Sequence, residues 1–165
     1  MTARVPGESN HEVVPRDVVP RGAVPRAGKG GLPRSARLLR HADFERVYKL
    51  GRRHFSASMT VFYWQRPEAG GAGATAPAAK TAVASGLRIG FTVGRALGGA
   101  VVRNRMKRRL REAVRLTRPV AGPSADVVIN PKKSLLTIEF AAVVNEVNRA
   151  FVVIEQKLAG KREKA

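Results

Sequence analysis

Cysteine is absent from the 165-residue chain. That removes disulfide frameworks and thiolate metal sites, and nothing suggests an oxidising compartment, so the cytoplasm is the expected location. No run approaches the ~18 apolar residues of a membrane span, and Met1 to Gly31 has no apolar core resembling a signal peptide. Acidic residues are scarce: 12 Asp and Glu stand against 31 Lys and Arg, giving a formal net charge of +19 and a pI near 11.7. Solubility alone does not need such one-sidedness. With the membrane disfavoured, a nucleic acid is the expected partner.

The groups that hydrolyse phosphodiesters are also missing. That chemistry needs metal held by carboxylates, or an acid–base pair such as two histidines. His11 lies in the N-terminal stretch, His41 precedes the first expected helix, and His54 falls in an expected turn. The acids are scattered without metal-site spacing, and Gly94 to Gly99 lacks the GxxxxGK(S/T) phosphate loop. No catalytic residue and no metal ligand is assigned to this chain.

What is present is concentrated between Arg95 and Arg115, RALGGAVVRNRMKRRLREAVR. Seven Arg and Lys fall within the thirteen residues from Arg103, yet an apolar stripe survives. On a helix, Val102, Met106, Leu110 and Ala113 cluster on one side with Val114 at its edge. Arg103, Asn104, Lys107, Arg108, Arg111 and Arg115 fan across the adjoining face. Arg105 and Arg109 point away, which suits a solvated or intramolecular role. A rigid row of this kind suits a polyanion with regularly spaced charges, RNA above all.

Around that helix the chain divides simply. Residues 1–31 carry Pro-Arg at 15–16, 20–21 and 25–26 and are expected to be a disordered, extended arm. Residues 32–160 are expected to form one domain, interrupted by a flexible Ala/Gly/Pro-rich excursion at 66–86, with a basic tail at 161–165. Phe44, Val47 and Tyr48 predict a helix from Ala42 to Leu50, stopped by Gly51. Residues 57–65 predict a strand with Met59, Val61 and Tyr63 on one face and Thr60, Phe62 and Trp64 on the other. Leu87 to Gly94 and Asp126 to Asn130 predict two more strands. A last helix follows, capped by Thr137 with Glu139 in its first turn, along the stripe Phe140, Val143, Val147, Phe151, Ile154 and Leu158. The expected class is α+β in the order α-β-β-α-β-α.

These residues resemble the protein component of bacterial ribonuclease P from Leu32 to about Leu158. The block RIGFTVGRALGGAVVRNRMKRRLRE (Arg88 to Glu112) carries the likeness, with Asp43-Phe44-x-x-Val47-Tyr48-x-x-Gly51 upstream and the Asp126-Val127-Val128-Ile129 strand after it. The resemblance implies a small α-β sandwich, similar to a ribosomal protein domain, with a left-handed crossover between parallel strands. It also implies that Arg95, Arg103, Asn104, Lys107, Arg108, Arg111 and Arg115 contact a catalytic RNA. Phe44, Tyr48, Phe62 and Arg88 would line a cleft for the single-stranded 5′ leader of precursor tRNA. Mg²⁺ would be bound chiefly by the RNA, which would carry the chemistry, so the chain would be a non-catalytic subunit with no obligate protein partner evident. Competing readings are a ribosomal or other structural RNA-binding protein, a self-sufficient nuclease and a DNA-binding regulator. Phe44, Val47 and Tyr48 at helical spacing also suit a plain core.

Overall fold

Helix α1 (His41–Leu50) forms where the apolar spacing predicts it, one residue earlier at its start. Gly51 ends it for a steric reason. Its backbone is extended (φ −77°), but a Cβ there would overlap the Val47 carbonyl oxygen and lie 2.9 Å from that of Tyr63. This computed structural model describes residues 31–67, 86–119 and 122–162. The arm expected over residues 1–30, the interior of the 66–86 excursion and the end of the basic tail lie outside the described residues. Two ends of that excursion are held firmly: Arg66 is buried, and its Nη2 donates to the Gly86 carbonyl at 2.6 Å.

A strand that the sequence reading lacks follows α1. Strand β1 (Arg52–Phe55) pairs antiparallel with β2 (Met59–Gln65), Arg53 facing Phe62 and Phe55 facing Thr60. His54 therefore lies in a strand and not in a turn; the turn is Ser56 to Ser58, closed by Ser56 N–H donating to Met59 O at 2.9 Å. The segment Arg-Arg-His-Phe has no apolar alternation to announce it. Its pairing comes from the neighbouring strand.

Strands β3 (Leu87–Phe91) and β4 (Ala125–Pro131) complete a sheet ordered β1-β2-β4-β3. The observed order is α-β-β-β-α-β-α, one strand more than expected, and β3 stops short of Gly94. Strand β4 sits inside, antiparallel to β2 and parallel to β3. A parallel neighbour demands a long connection, and helix α2 (Ala100–Thr117) supplies it. The outer edge of β3 is partly covered by the chain before α1, where Leu38 N–H donates to Ile89 O at 3.0 Å.

Helix α3 (Phe140–Arg162) closes the fold. Thr137 does not cap it. Its hydroxyl donates to Ser134 O at 3.0 Å at the end of a 3-10 turn (Lys133–Leu136), and Glu139 stands just before the helix, its carbonyl accepting from Ala142 and Val143. Helices α2 and α3 cover one sheet face: Met106, Leu110, Ala113, Val114, Val143, Val147, Phe151 and Ile154 are buried against Met59, Val61, Leu87, Ile89, Val127 and Ile129. Each of the larger of these side chains is worth about 1.5–3 kcal/mol when removed from water. Glu146 ties α3 to the hairpin turn by accepting from both the backbone and the hydroxyl of Ser58, at 3.0 and 2.8 Å. Helix α1 covers the opposite face, where Val47 is buried with Leu38 and Val128.

Candidate RNA interface

The basic helix turns its apolar stripe inward and its cations outward. Met106, Leu110, Ala113 and Val114 are buried, and Val102 packs at the core's margin. Asn104, Arg108 and Arg111 are exposed, while Arg103 and Lys107 are half-buried. Among the described residues, no carboxylate pairs with Arg103, Lys107, Arg108 or Arg111. Arg95 precedes them on an exposed 3-10 turn (Arg95–Leu97).

Two arginines of the helix differ. Arg115 makes a two-point contact with Glu112, Nε to Oε2 at 2.9 Å and Nη2 to Oε1 at 2.5 Å, which holds the Glu112 carboxyl below its usual range. Part of its charge is thereby answered inside the protein. Arg109 is intramolecular, its guanidinium donating to the carbonyls of Leu136 (3.0 Å) and Ile138 (2.5 Å) and so bracing the lead into α3. Arg105 is exposed.

On the opposite face of the sheet the register lays side chains in rows across the strands. One row is Phe55, Thr60 and Asn130, with Thr92 beyond, since Thr92 N–H donates to Ile129 O at 3.1 Å. The next is Arg53, Phe62, Val128 and Gly90; the third is Trp64, Asp126 and Arg88. Helix α1 lies over the middle row. Phe44 presses on Gly90, where a Cβ would come within 2.5 Å of its ring. Tyr48 meets Phe62 edge to face at 4.9 Å between centroids. Its hydroxyl lies 2.9 Å from both Asn130 Oδ1 and Thr92 Oγ1, so one phenolic proton serves the amide oxygen while the threonine donates in return. Two exposed-side cations overlie the aromatics, Arg53 on Phe62 and Arg46 on Trp64, each 5.4 Å from the ring centroid. Phe44, Tyr48 and Phe62 thus come together half-buried, forming a wall as well as packing.

Arg88, the fourth residue assigned to the cleft, turns inward. Its Nε and Nη2 donate to the two oxygens of the wholly buried Asp126, both at 2.7 Å, and Nη1 lies 3.5 Å from Asp43 in the first turn of α1. The Asp126 hydrogen bonds raise the Arg88 pKa further above its ordinary value. Arg66 lies 3.6 Å from the same Asp126 carboxylate, and burial pulls its pKa below the ordinary value. The network anchors α1 to the sheet. Sequence reading saw Asp126 only as part of a strand; a carboxylate inside an otherwise apolar run was the available signal.

Around the β3 edge the two faces meet. A hollow of about 450 Å³ is lined by Leu38, Phe44 and Gly90 from the α1 side and by Lys107 and Arg111 from the basic helix. Arg37 and Phe91 also border it. Of the three groove aromatics, Phe44 thus shares this hollow with the cationic ridge. Among the described residues, no three His, Asp or Glu side chains come together as possible metal ligands, and no residue is assigned to an ion.

A small helix-covered sheet that carries a row of cations on one helix beside half-buried aromatics defines a class of RNA-binding protein. A profile of the Ribonuclease P family matches residues 32–155, and the chain belongs to that family. The Ribonuclease P protein component of Maridesulfovibrio salexigens is 36% identical over 112 residues, covering 67% of this chain and 79% of that protein. That of Finegoldia magna is 32% identical over 103 residues, covering 62% and 76%. Among solved structures, the RNase P protein of Staphylococcus aureus superposes with a TM-score of 0.56 at 21% identity, covering 73% of this chain and 95% of that one. This last likeness speaks for the fold.

Proposed function

We propose that the chain acts as the non-catalytic protein subunit of ribonuclease P. The α2 ridge binds the catalytic RNA, and the groove beneath α1 receives the 5′ leader of precursor tRNA. By holding both, the protein promotes endonucleolytic removal of the leader. The observation that carries this reading is the hollow at the β3 edge, where Phe44 of the aromatic wall meets Lys107 and Arg111 of the ridge. The hand of the β3–α2–β4 crossover is taken as left, in keeping with the family.

The physical roles follow. Guanidinium forks grip phosphate oxygens in pairs, and a helix fixes their spacing against an RNA backbone. Neutralising about six phosphates makes assembly salt-sensitive, on the order of 10³-fold between 50 and 200 mM, with the duplex-DNA relation as a guide. Half-exposed aromatic rings stack unpaired bases with little regard to sequence, which suits leaders that vary. Mg²⁺, supplied on the RNA, would activate and position the attacking water. The protein's own residues bind and orient.

Reconstitution with transcribed catalytic RNA tests the proposal. The protein alone should cleave no precursor tRNA, and adding it to the RNA should lower the Mg²⁺ requirement and tighten substrate binding. Cleavage by RNA-free protein would overturn the assignment, as would an RNA whose activity the protein leaves unchanged.

A further inference from the structure

Phe55 is 67% exposed on the outermost strand of the sheet and lies outside the hydrophobic clusters of the described residues. Nothing in the cluster of Phe44, Tyr48, Phe62 and Trp64 includes it. Its direction is fixed by register. Arg53, two residues earlier, stands over Phe62, and residues two apart on a strand share a face, so Phe55 looks into the same side of the sheet as Phe62. The two phenyl groups are diagonal neighbours across β1 and β2, at a separation of about 7–8 Å between backbones. His54, between Arg53 and Phe55, belongs to the other face, toward Lys157.

The row that ends on Phe55 is otherwise polar and open. It runs through Thr60 and Asn130 to Thr92, past the C-terminal end of α1, with the Tyr48 hydroxyl bonded to its inner half. Cations flank its outer end. Arg53 is exposed, and Lys132 Nζ donates to Ser56 O at 2.6 Å, which places an ammonium beside the turn that follows Phe55. Aromatics on adjacent strands of a four-stranded sheet, with basic groups alongside, are a recurrent device for stacking successive unpaired bases.

We infer that Phe55 is a second stacking position for the single-stranded 5′ leader, which leaves Phe62, passes Arg53 with a phosphate against its guanidinium, and sets a further base on the Phe55 ring. The inference rests on the leader groove proposed above and extends it to the sheet's outer edge. The occupant is single-stranded RNA because the platform is aromatic, its flanks are cationic and the neighbouring row offers hydroxyl and amide groups. A protein partner or a second copy of this chain would pair the β1 edge instead.

The reconstituted holoenzyme decides the matter, with precursor tRNAs whose leaders lengthen one nucleotide at a time and a leaderless RNA for reference. Phe55→Ala should leave short-leader and leaderless binding unchanged and weaken binding by about 5- to 150-fold once the leader reaches a threshold length. Phe55→Trp should retain the long-leader affinity. Phe62→Ala should lose affinity at shorter leaders. If Phe55→Ala matches wild type at every length while Phe62→Ala does not, this inference alone falls. If neither variant depends on the leader, the groove itself is misassigned. A Phe55→Ala defect that is equal with leaderless RNA, or a change in oligomeric state, also overturns the proposal. Thermal melting checks that both Phe55 variants fold, as the exposure of the ring predicts.

Discussion

Asp126→Asn should be among the most damaging single substitutions in this protein, although it preserves shape. Asp126 is fully buried and its two oxygens each take a 2.7 Å hydrogen bond from Arg88, with Arg66 at 3.6 Å. Asparagine removes the negative charge and turns one acceptor into a donor aimed at a guanidinium. Arg88 and Arg66, two cations drawn together by that carboxylate, would then share a low-dielectric interior without it, with Asp43 still close by. Breaking a buried pair from one side costs about 3–5 kcal/mol. A domain of this size has about 5–15 kcal/mol in all, so the loss is a large fraction. With a urea slope of about 2 kcal/mol/M, the unfolding midpoint should fall by about 1.5–2.5 M. The chain's single tryptophan, Trp64, stands opposite Asp126 on β2 and reports the transition by fluorescence, with circular dichroism as a second probe. A loss below about 1 kcal/mol, the worth of a solvated pair, would refute the claim that this network is buried and essential.

Other substitutions test separate parts. Lys107→Ala with Arg108→Ala should weaken assembly with the catalytic RNA and lower the salt dependence of log K by about one unit per cation, seen in binding titrations across salt; an unchanged slope would remove these residues from the interface. Gly90→Ala must push Phe44 away, because the new methyl would lie 2.5 Å from its ring, and should cost about 1–3 kcal/mol in denaturant unfolding while impairing leader-bearing substrates more than leaderless ones; a neutral result would mean α1 slides freely. His54 supplies a pH test. Burial first, and the Lys157 charge second, hold its imidazole below the ordinary value. The unfolded chain therefore binds the proton more readily, so this contribution to stability is intact above a pH of about 6.5 and is lost as pH falls toward the lower folded value. His54→Gln should flatten the stability profile between about pH 7 and 5, and parallel profiles would count against the environment described.

Much of this molecule is written in local periodicity. The 3.6-residue recurrence in α2 placed Met106, Leu110 and Ala113 inward, and the outward row of Arg103, Lys107, Arg108 and Arg111 followed without tertiary information. Alternation in β2 separated Met59, Val61 and Tyr63 from Thr60, Phe62 and Trp64 correctly, because each strand face meets a different layer.

Pairing and charge compensation were decided elsewhere. Strand β1 exists because β2 offers it an edge, and its own four residues have no pattern that demands extension. Glu139 displaced Thr137 at the start of α3 because a 3-10 turn consumed the threonine first. Above all, the difference between Arg88, folded onto Asp126, and Arg111, open to solvent, is invisible in a list of arginines. A residue's type and spacing determine which face of its own element it occupies. Whether its charge meets a carboxylate or a partner depends on what the rest of the chain brings within a few ångströms, and only the folded arrangement sets those distances.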